Sequence, residues 1–413
     1  MTLFGGTTLT VNNVALFQRD IVLATSGSGN NATLDAGEKF TSGTFTPGGA
    51  SRLTGTITMP AGRTLTVLGP TTGQFELAGQ ITGGGALILG RTATPAGGVV
   101  YLTGPNDYSG GTTVQLLTAL GVGSNTAFGT GAVTFTFAAP VFALNGNRTL
   151  ANDLTLNAPL TAGPDGPYAL INNLAFTGTT TLGTNGGPVT VNGGGMLSLN
   201  NVGGTPALTK AGVGTLALTG TASYTGTTAV NAGTLLVNGT LDGSGGTITV
   251  ASGAALGGTG TINRPVVVNA GGILAPGASP GILTVNAAVS LDSGSVFAAE
   301  LNGNDNSGAT PQFDQLVLGP GGFLTLGGAT LLPTLGAGYN PSTGGDSLTL
   351  ISGAYSGTFG NGPNLTVGGF PAVVLYNPNA VVLQFSPVPE PAGVIAACAA
   401  AAGVAGWWHR RRR

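Results

Sequence analysis

The chain has 413 residues, of which only 6% are charged, with 76 glycines and a mean hydropathy of +0.35. Apart from the last 27 residues, which hold Glu390 and four arginines, 8 basic residues stand against 13 acidic ones, a net charge of about −5. No basic patch for phosphates can be built from that balance, so nucleic acid is excluded as a partner, and the wealth of Val, Ile, Leu and Thr excludes a disordered chain.

In chain order, Met1-Thr-Leu-Phe-Gly-Gly6 has no basic n-region, long apolar stretch or small-residue cleavage site, so an upstream start is expected for any exported form. Strand and turn texture begins at residues 8–14 and continues in short runs between Gly, Asn and Pro. Gly62-Arg-Thr-Leu-Thr-Val67, Thr149-Leu150, Thr215-Leu-Ala-Leu218, Thr234-Leu-Leu-Val237, Thr247-Ile-Thr-Val250, Pro265-Val-Val-Val268 and Ile282-Leu-Thr-Val285 are predicted strands. No segment before the tail sustains helical periodicity. From Thr215 successive strands start 19, 13, 18 and 17 residues apart, too close for crossover helices and too uneven for a meander, which points to the coils of a solenoid.

Internal similarity supports this. Leu102-Thr-Gly-Pro-Asn-Asp-Tyr-Ser-Gly-Gly-Thr-Thr-Val114 aligns without a gap on Leu218-Thr-Gly-Thr-Ala-Ser-Tyr-Thr-Gly-Thr-Thr-Ala-Val230, and the second copy continues through Val230-Asn-Ala-Gly-Thr-Leu-Leu-Val237. The pattern resembles the autotransporter-associated β-strand repeat, best over 208–285 and more degenerate over 99–133. That resemblance implies a right-handed parallel β-helix, and the strand-and-turn texture before Val99 extends the expected coils over residues 1–295. In such a fold inward aliphatics form ladders, outward threonines suit a pleated surface, and low charge avoids stacking like charges coil upon coil.

From about Val296 the texture shifts, with Phe and Tyr concentrated up to Ser386. Residues 296–386 are expected to form a β segment covering the last coil, since an open solenoid end exposes core and unpaired backbone. Residues 387–413 differ again. Pro389 and Pro391 favour an extended chain around Glu390, and residues 392–408 form an uncharged run of 17 residues, about 25 Å as a helix. Trp407 and Trp408 suit a membrane–water interface, and Arg410, Arg411, Arg412 and Arg413 suit its cytoplasmic side. Pro389-Glu390-Pro391, one apolar helix and a terminal arginine cluster resemble a PEP-CTERM sorting signal. The resemblance implies processing by an exosortase, a membrane-embedded cysteine transpeptidase of Gram-negative bacteria. It also implies an inner-membrane-anchored intermediate and delivery to the cell surface or extracellular matrix, with exopolysaccharide among the candidate partners.

Catalytic candidates are few. His409 is the only histidine and Cys398 the only cysteine, both in the tail, so no His-based triad, His-based metal site or intramolecular disulfide can form in the body. The densest carboxylate cluster is Asp35 with Glu38 beside Lys39, with Arg19-Asp20 upstream. Solvated turn charges are the simpler reading, and a β-helix polysaccharide lyase or hydrolase is the alternative. Asn302-Gly-Asn-Asp-Asn-Ser-Gly308 offers oxygen ligands, but one carboxylate is a poor calcium loop. The expectation is a structural or adhesin-like protein with no cofactor, no bound metal and no catalytic residue.

Overall fold

The computed structural model describes residues 1–10, 16–25, 31–35, 51–70, 73–94, 97–163, 172–308, 310–341 and 345–386. Over these residues the chain is all-β and winds into a parallel β-solenoid of the right-handed type. Two faces are continuous sheets of 16 and 15 strands among the described residues. The third face is a 4-stranded sheet early in the chain and a 9-stranded sheet from Thr221 onward.

One coil shows why the sequence winds this way. Leu208–Ala211 lies on one face, Gly212 turns the corner at φ 73°, Thr215–Thr219 forms the next face, Gly220 turns at φ 64°, and Thr221–Ala222 begins the third. Both glycines take a left-handed conformation that a Cβ would oppose. Leu208 then pairs in register with Thr228, twenty residues on. Side chains alternate in and out, so in-register stacking makes the core a set of ladders. Leu216, Leu235, Leu256, Leu274, Phe297 and Leu331 form one, and Ala222, Leu241, Ile262, Val285 and Leu318 another. Every member of the first is at most 2% exposed, at about 1.5–3 kcal/mol per fully buried aliphatic side chain. Outside the third face Thr221, Thr240, Thr261 and Thr284 stack in the same way.

The predicted strands appear nearly where the sequence placed them, at Thr64–Val67, Arg148–Leu150, Thr215–Thr219, Gly233–Val237, Ile248–Val250, Val266–Val268 and Ile282–Val285. The change of texture at Val296 is not a change of pairing: Val296–Leu301, Gln315–Leu318 and Phe323–Thr325 continue the parallel stack on all three faces. What changes there is an excursion at one corner, between Leu301 and Phe313, and the approach of the end.

The stack stops by antiparallel pairing. Ser347–Ser352 pairs with Ala380–Phe385, which pairs with Phe370–Asn377, which pairs with Asn364–Val367. This extension buries Val367, Val374, Val381 and Phe385, while Phe359 packs on Phe297 with ring centroids 5.9 Å apart. On the terminal strand Thr330–Leu335, the Asn361 amide stands in for a neighbouring strand: Leu331 N donates to Asn361 Oδ1 (3.1 Å) and Asn361 Nδ2 donates to Leu331 O (2.9 Å). Pro333 has no N–H to offer, so this edge is poorly suited to templating another strand. Among the described residues no helix is long and apolar enough to cross a membrane. The predicted apolar helix 392–408 lies outside the described residues.

Candidate functional site

The two repeat copies build the same corner. Tyr108 and Tyr224 are fully buried, and each hydroxyl meets the threonine four residues later, Tyr108 with Thr112 at 2.5 Å and Tyr224 with Thr228 at 2.6 Å. Thr112 and Thr228 point inward, and the tyrosine satisfies a hydroxyl that would otherwise sit bare in the core. Burial pushes both phenols well above their ordinary range, so they stay neutral hydrogen-bonding groups.

Around the second copy two buried cations tie coils together. Lys210 occupies an inward position between Val189 and Val230. Its ammonium donates to the carbonyls of Ala211 (2.8 Å), Gly212 (2.7 Å) and Ala232 (3.0 Å), and burial pulls its pKa down to about 8. Arg264 has 0% exposure and spans three coils. It donates through Nε to Asp242 O (2.5 Å) and through Nη2 to Tyr224 O (2.5 Å), and Nη1 reaches Gly226 O at 3.3 Å. Its guanidinium carbon lies 4.4 Å from the centroid of the Tyr224 ring, and Nη2 is 3.5 Å from Asp242 Oδ1. These groups are spent on main-chain carbonyls, which makes the cluster a clamp between coils.

The carboxylates singled out in the sequence are used structurally where they are described. Asp20 Oδ1 accepts from Thr56 N at 2.8 Å, and Asp35 lies 3.8 Å from Arg91. Arg19 is exposed; Glu38 and Lys39 lie outside the described residues. In the 302–308 loop, Asn306 Oδ1 accepts from Gln312 N (2.8 Å) and Phe313 N (3.0 Å), Asp305 accepts from Ser307 N (2.8 Å), and Asn304 donates to Asp346 (2.9 Å). The loop's polar groups fasten the excursion to the stack. Among the described residues no three His, Cys, Asp or Glu side chains gather to hold a metal ion. Pro389, Glu390, Pro391, Trp407, Trp408 and Arg410 to Arg413 lie outside the described residues.

An open groove of ≈ 460 Å³ lies at one corner, walled by Pro159, Pro188 and Pro206 with Asn185 and Thr209, and its lining carries no charge. Sequence reasoning missed Thr112, Thr228, Lys210, Asp242 and Arg264. Only the threonines left a trace, standing four residues after the repeated tyrosine in both copies.

The described residues form a long, three-faced parallel solenoid with clamped corners and one closed end. Residues 97–115 and 208–237 match the model of the Passenger-associated-transport-repeat, an autotransporter-associated family. No curated protein matches the chain. Fold and repeats fit an autotransporter-like passenger or a surface adhesin-type protein, and the repeats suggest an exported or surface location.

Proposed function

We propose that this is an exported structural or adhesin-like protein of the bacterial surface or extracellular matrix, delivered by a C-terminal sorting tail that an exosortase processes. The observation that carries the scaffold reading is the in-register stack running from the first described coil to Tyr355–Ser356, with two segments of it matching passenger repeats. Such a stack offers long, regular, weakly charged faces, suited to contact with matrix polysaccharide. In this reading the body is a scaffold and not a depolymerase, and Asp35 and Glu38 serve no hydrolytic role.

The sorting reading rests on residues 387–413. Pro389 and Pro391 keep the processing segment extended, Glu390 gives it a polar feature, the 392–408 run holds the chain in the bilayer, and Trp407, Trp408 and Arg410 to Arg413 orient it. Replacing Pro389, Glu390 and Pro391 by alanine lets a helix extend upstream, since Ala is favoured over Pro by about 3 kcal/mol in a helix interior. In an exosortase-containing host the triple-alanine form is expected to reach the membrane and stay there uncleaved, its terminal arginines detectable by antibody in the membrane fraction. Release as efficient as that of the wild type refutes the sorting reading.

A further inference from the structure

The absence of histidine from the body excludes an imidazole relay, but a carboxylate can take a serine proton as well. One place in the solenoid has that arrangement. Between strands Ile273–Pro276 and Ile282–Val285 the chain makes a tight loop, Gly277-Ala-Ser-Pro-Gly281, with the spacing G-x-S-x-G. Gly277 is pinned to Gly258 by two main-chain hydrogen bonds, 2.9 and 2.8 Å. The feet of the loop are pinched together: a Cβ on Gly277 would fall 2.5 Å from Gly281 N and 2.1 Å from Asp314 Oδ1. Ser279 stands at the exposed tip with φ 84°, a conformation that non-glycine residues adopt only at some cost.

The Ser279 hydroxyl donates to Glu300 Oε2 at 2.5 Å. Glu300 is half-buried on Val296–Leu301, in the coil after the loop. Beneath both lies Asp314, 6% exposed, whose Oδ1 accepts from Gly281 N (2.8 Å) and whose Oδ2 accepts from Glu300 N (2.8 Å). One buried carboxylate therefore locks the foot of the serine loop to the strand that carries the glutamate. The loop departs from a nucleophile elbow in joining two strands and in using glutamate for the base. Ser279 and Glu300 lie outside the two matched repeat segments, 97–115 and 208–237.

We propose that Ser279 and Glu300 form a serine acyl-transfer site for exposed carboxylic esters, of the kind an O-acylated polysaccharide presents. Ser279 Oγ attacks the acyl carbon while its proton passes to Glu300 Oε2. The ester C–O bond breaks, and the departing alkoxide takes that proton from Glu300, leaving an acyl-serine. A water molecule, or a second hydroxyl compound, then attacks the acyl carbon and gives its proton to Glu300, which returns it to Ser279 Oγ as the acyl group leaves. No redox step or metal is involved. The exposed tip suits small acyl groups on a large carrier. The site would act alongside the scaffold role and does not depend on the sorting tail.

The test uses the purified full-length protein with 4-nitrophenyl acetate, and a fluorophosphonate probe followed by peptide mass mapping. The expected result is ester hydrolysis with a phosphonyl adduct on the peptide carrying Ser279. Ser279→Ala should abolish the adduct and the hydrolysis above buffer, and Glu300→Gln should slow hydrolysis by about 10²–10⁴-fold, both with an unchanged circular dichroism spectrum. Wild type that gives no adduct, or an adduct mapped to another residue, overturns the proposal however the variants fold. Hydrolysis undiminished in a folded Ser279→Ala protein also overturns it.

Discussion

The hydroxyl pair at the second repeat corner gives a quantitative prediction. Thr228→Val keeps the shape of an inward ladder position between Leu208 and Ile248 but removes the partner of the Tyr224 hydroxyl, which is fully buried. Leaving one buried polar group unsatisfied costs about 1–3 kcal/mol. Tyr224→Phe makes the mirror-image change; it retains the ring under Arg264 and the main-chain carbonyl that Arg264 binds, so the clamp survives. The double variant has neither hydroxyl and should be nearly as stable as the wild type. With each single variant costing about 1–3 kcal/mol and the double costing little, the cycle should show a coupling energy of about 2–6 kcal/mol. Because coils of a solenoid can unfold piecemeal, the reading should be local: hydrogen exchange at Leu208–Ala211 and Thr228–Val230, beside thermal melting of the whole protein. If Thr228→Val costs as much in the Tyr224→Phe background as alone, the hydroxyls are not what holds the corner, and the repeated Tyr-x-x-x-Thr spacing needs another explanation.

Thr180 lies at 0% exposure between Leu154 and Val202, and its hydroxyl has no hydrogen-bond partner among the described residues; Thr180→Val should raise stability by about 1 kcal/mol in thermal or urea unfolding. Burial pushes Asp314 from its ordinary 3.8 up to about 6, so the folded state holds this proton more tightly than the unfolded one. That stabilisation is fully present below about pH 3.8 and is lost as pH rises through about 6, so the wild type should lose thermal stability between pH 4 and 7 relative to Asp314→Asn. Equal pH dependence in the two proteins would count against it.

Much of the winding was legible because a solenoid writes its geometry into the chain locally. Thr-Leu-Thr-Val at 64–67 and Val-Val-Val at 266–268 announce strands by composition, and the 102–114 and 218–230 copies announce the repeat. What the sequence concealed is contact across coils. Arg264 reads as an ordinary charged residue, yet its partners are Tyr224, Gly226 and Asp242, up to 40 residues away. Lys210, one residue in a threonine-rich run, turns inward to reach the carbonyl of Ala232. The boundary at Val296 misled for the opposite reason: aromatic residues and a polar excursion altered the texture while the ladder Leu274, Phe297, Leu331 ran on beneath it. The G-x-S-x-G spacing at 277–281 stands in the sequence, but the meeting of Ser279 with Glu300 does not, because it depends on the rise of one coil over another.

Asn361 and Pro333 close one end of the stack, and the chain leaves the sheet beside that end, where Ser386 N bonds Pro371 O. Fifteen strands on one face, at about 4.8 Å each, place the first described coils about 70 Å away. Anything gripping the tail would therefore hold those coils at a fixed reach, like the tip of a mast. Duplicating or deleting a coil would lengthen or shorten that reach by about 4.8 Å and leave the foot unchanged. In such a molecule distance is a heritable trait, adjustable in steps of about twenty residues.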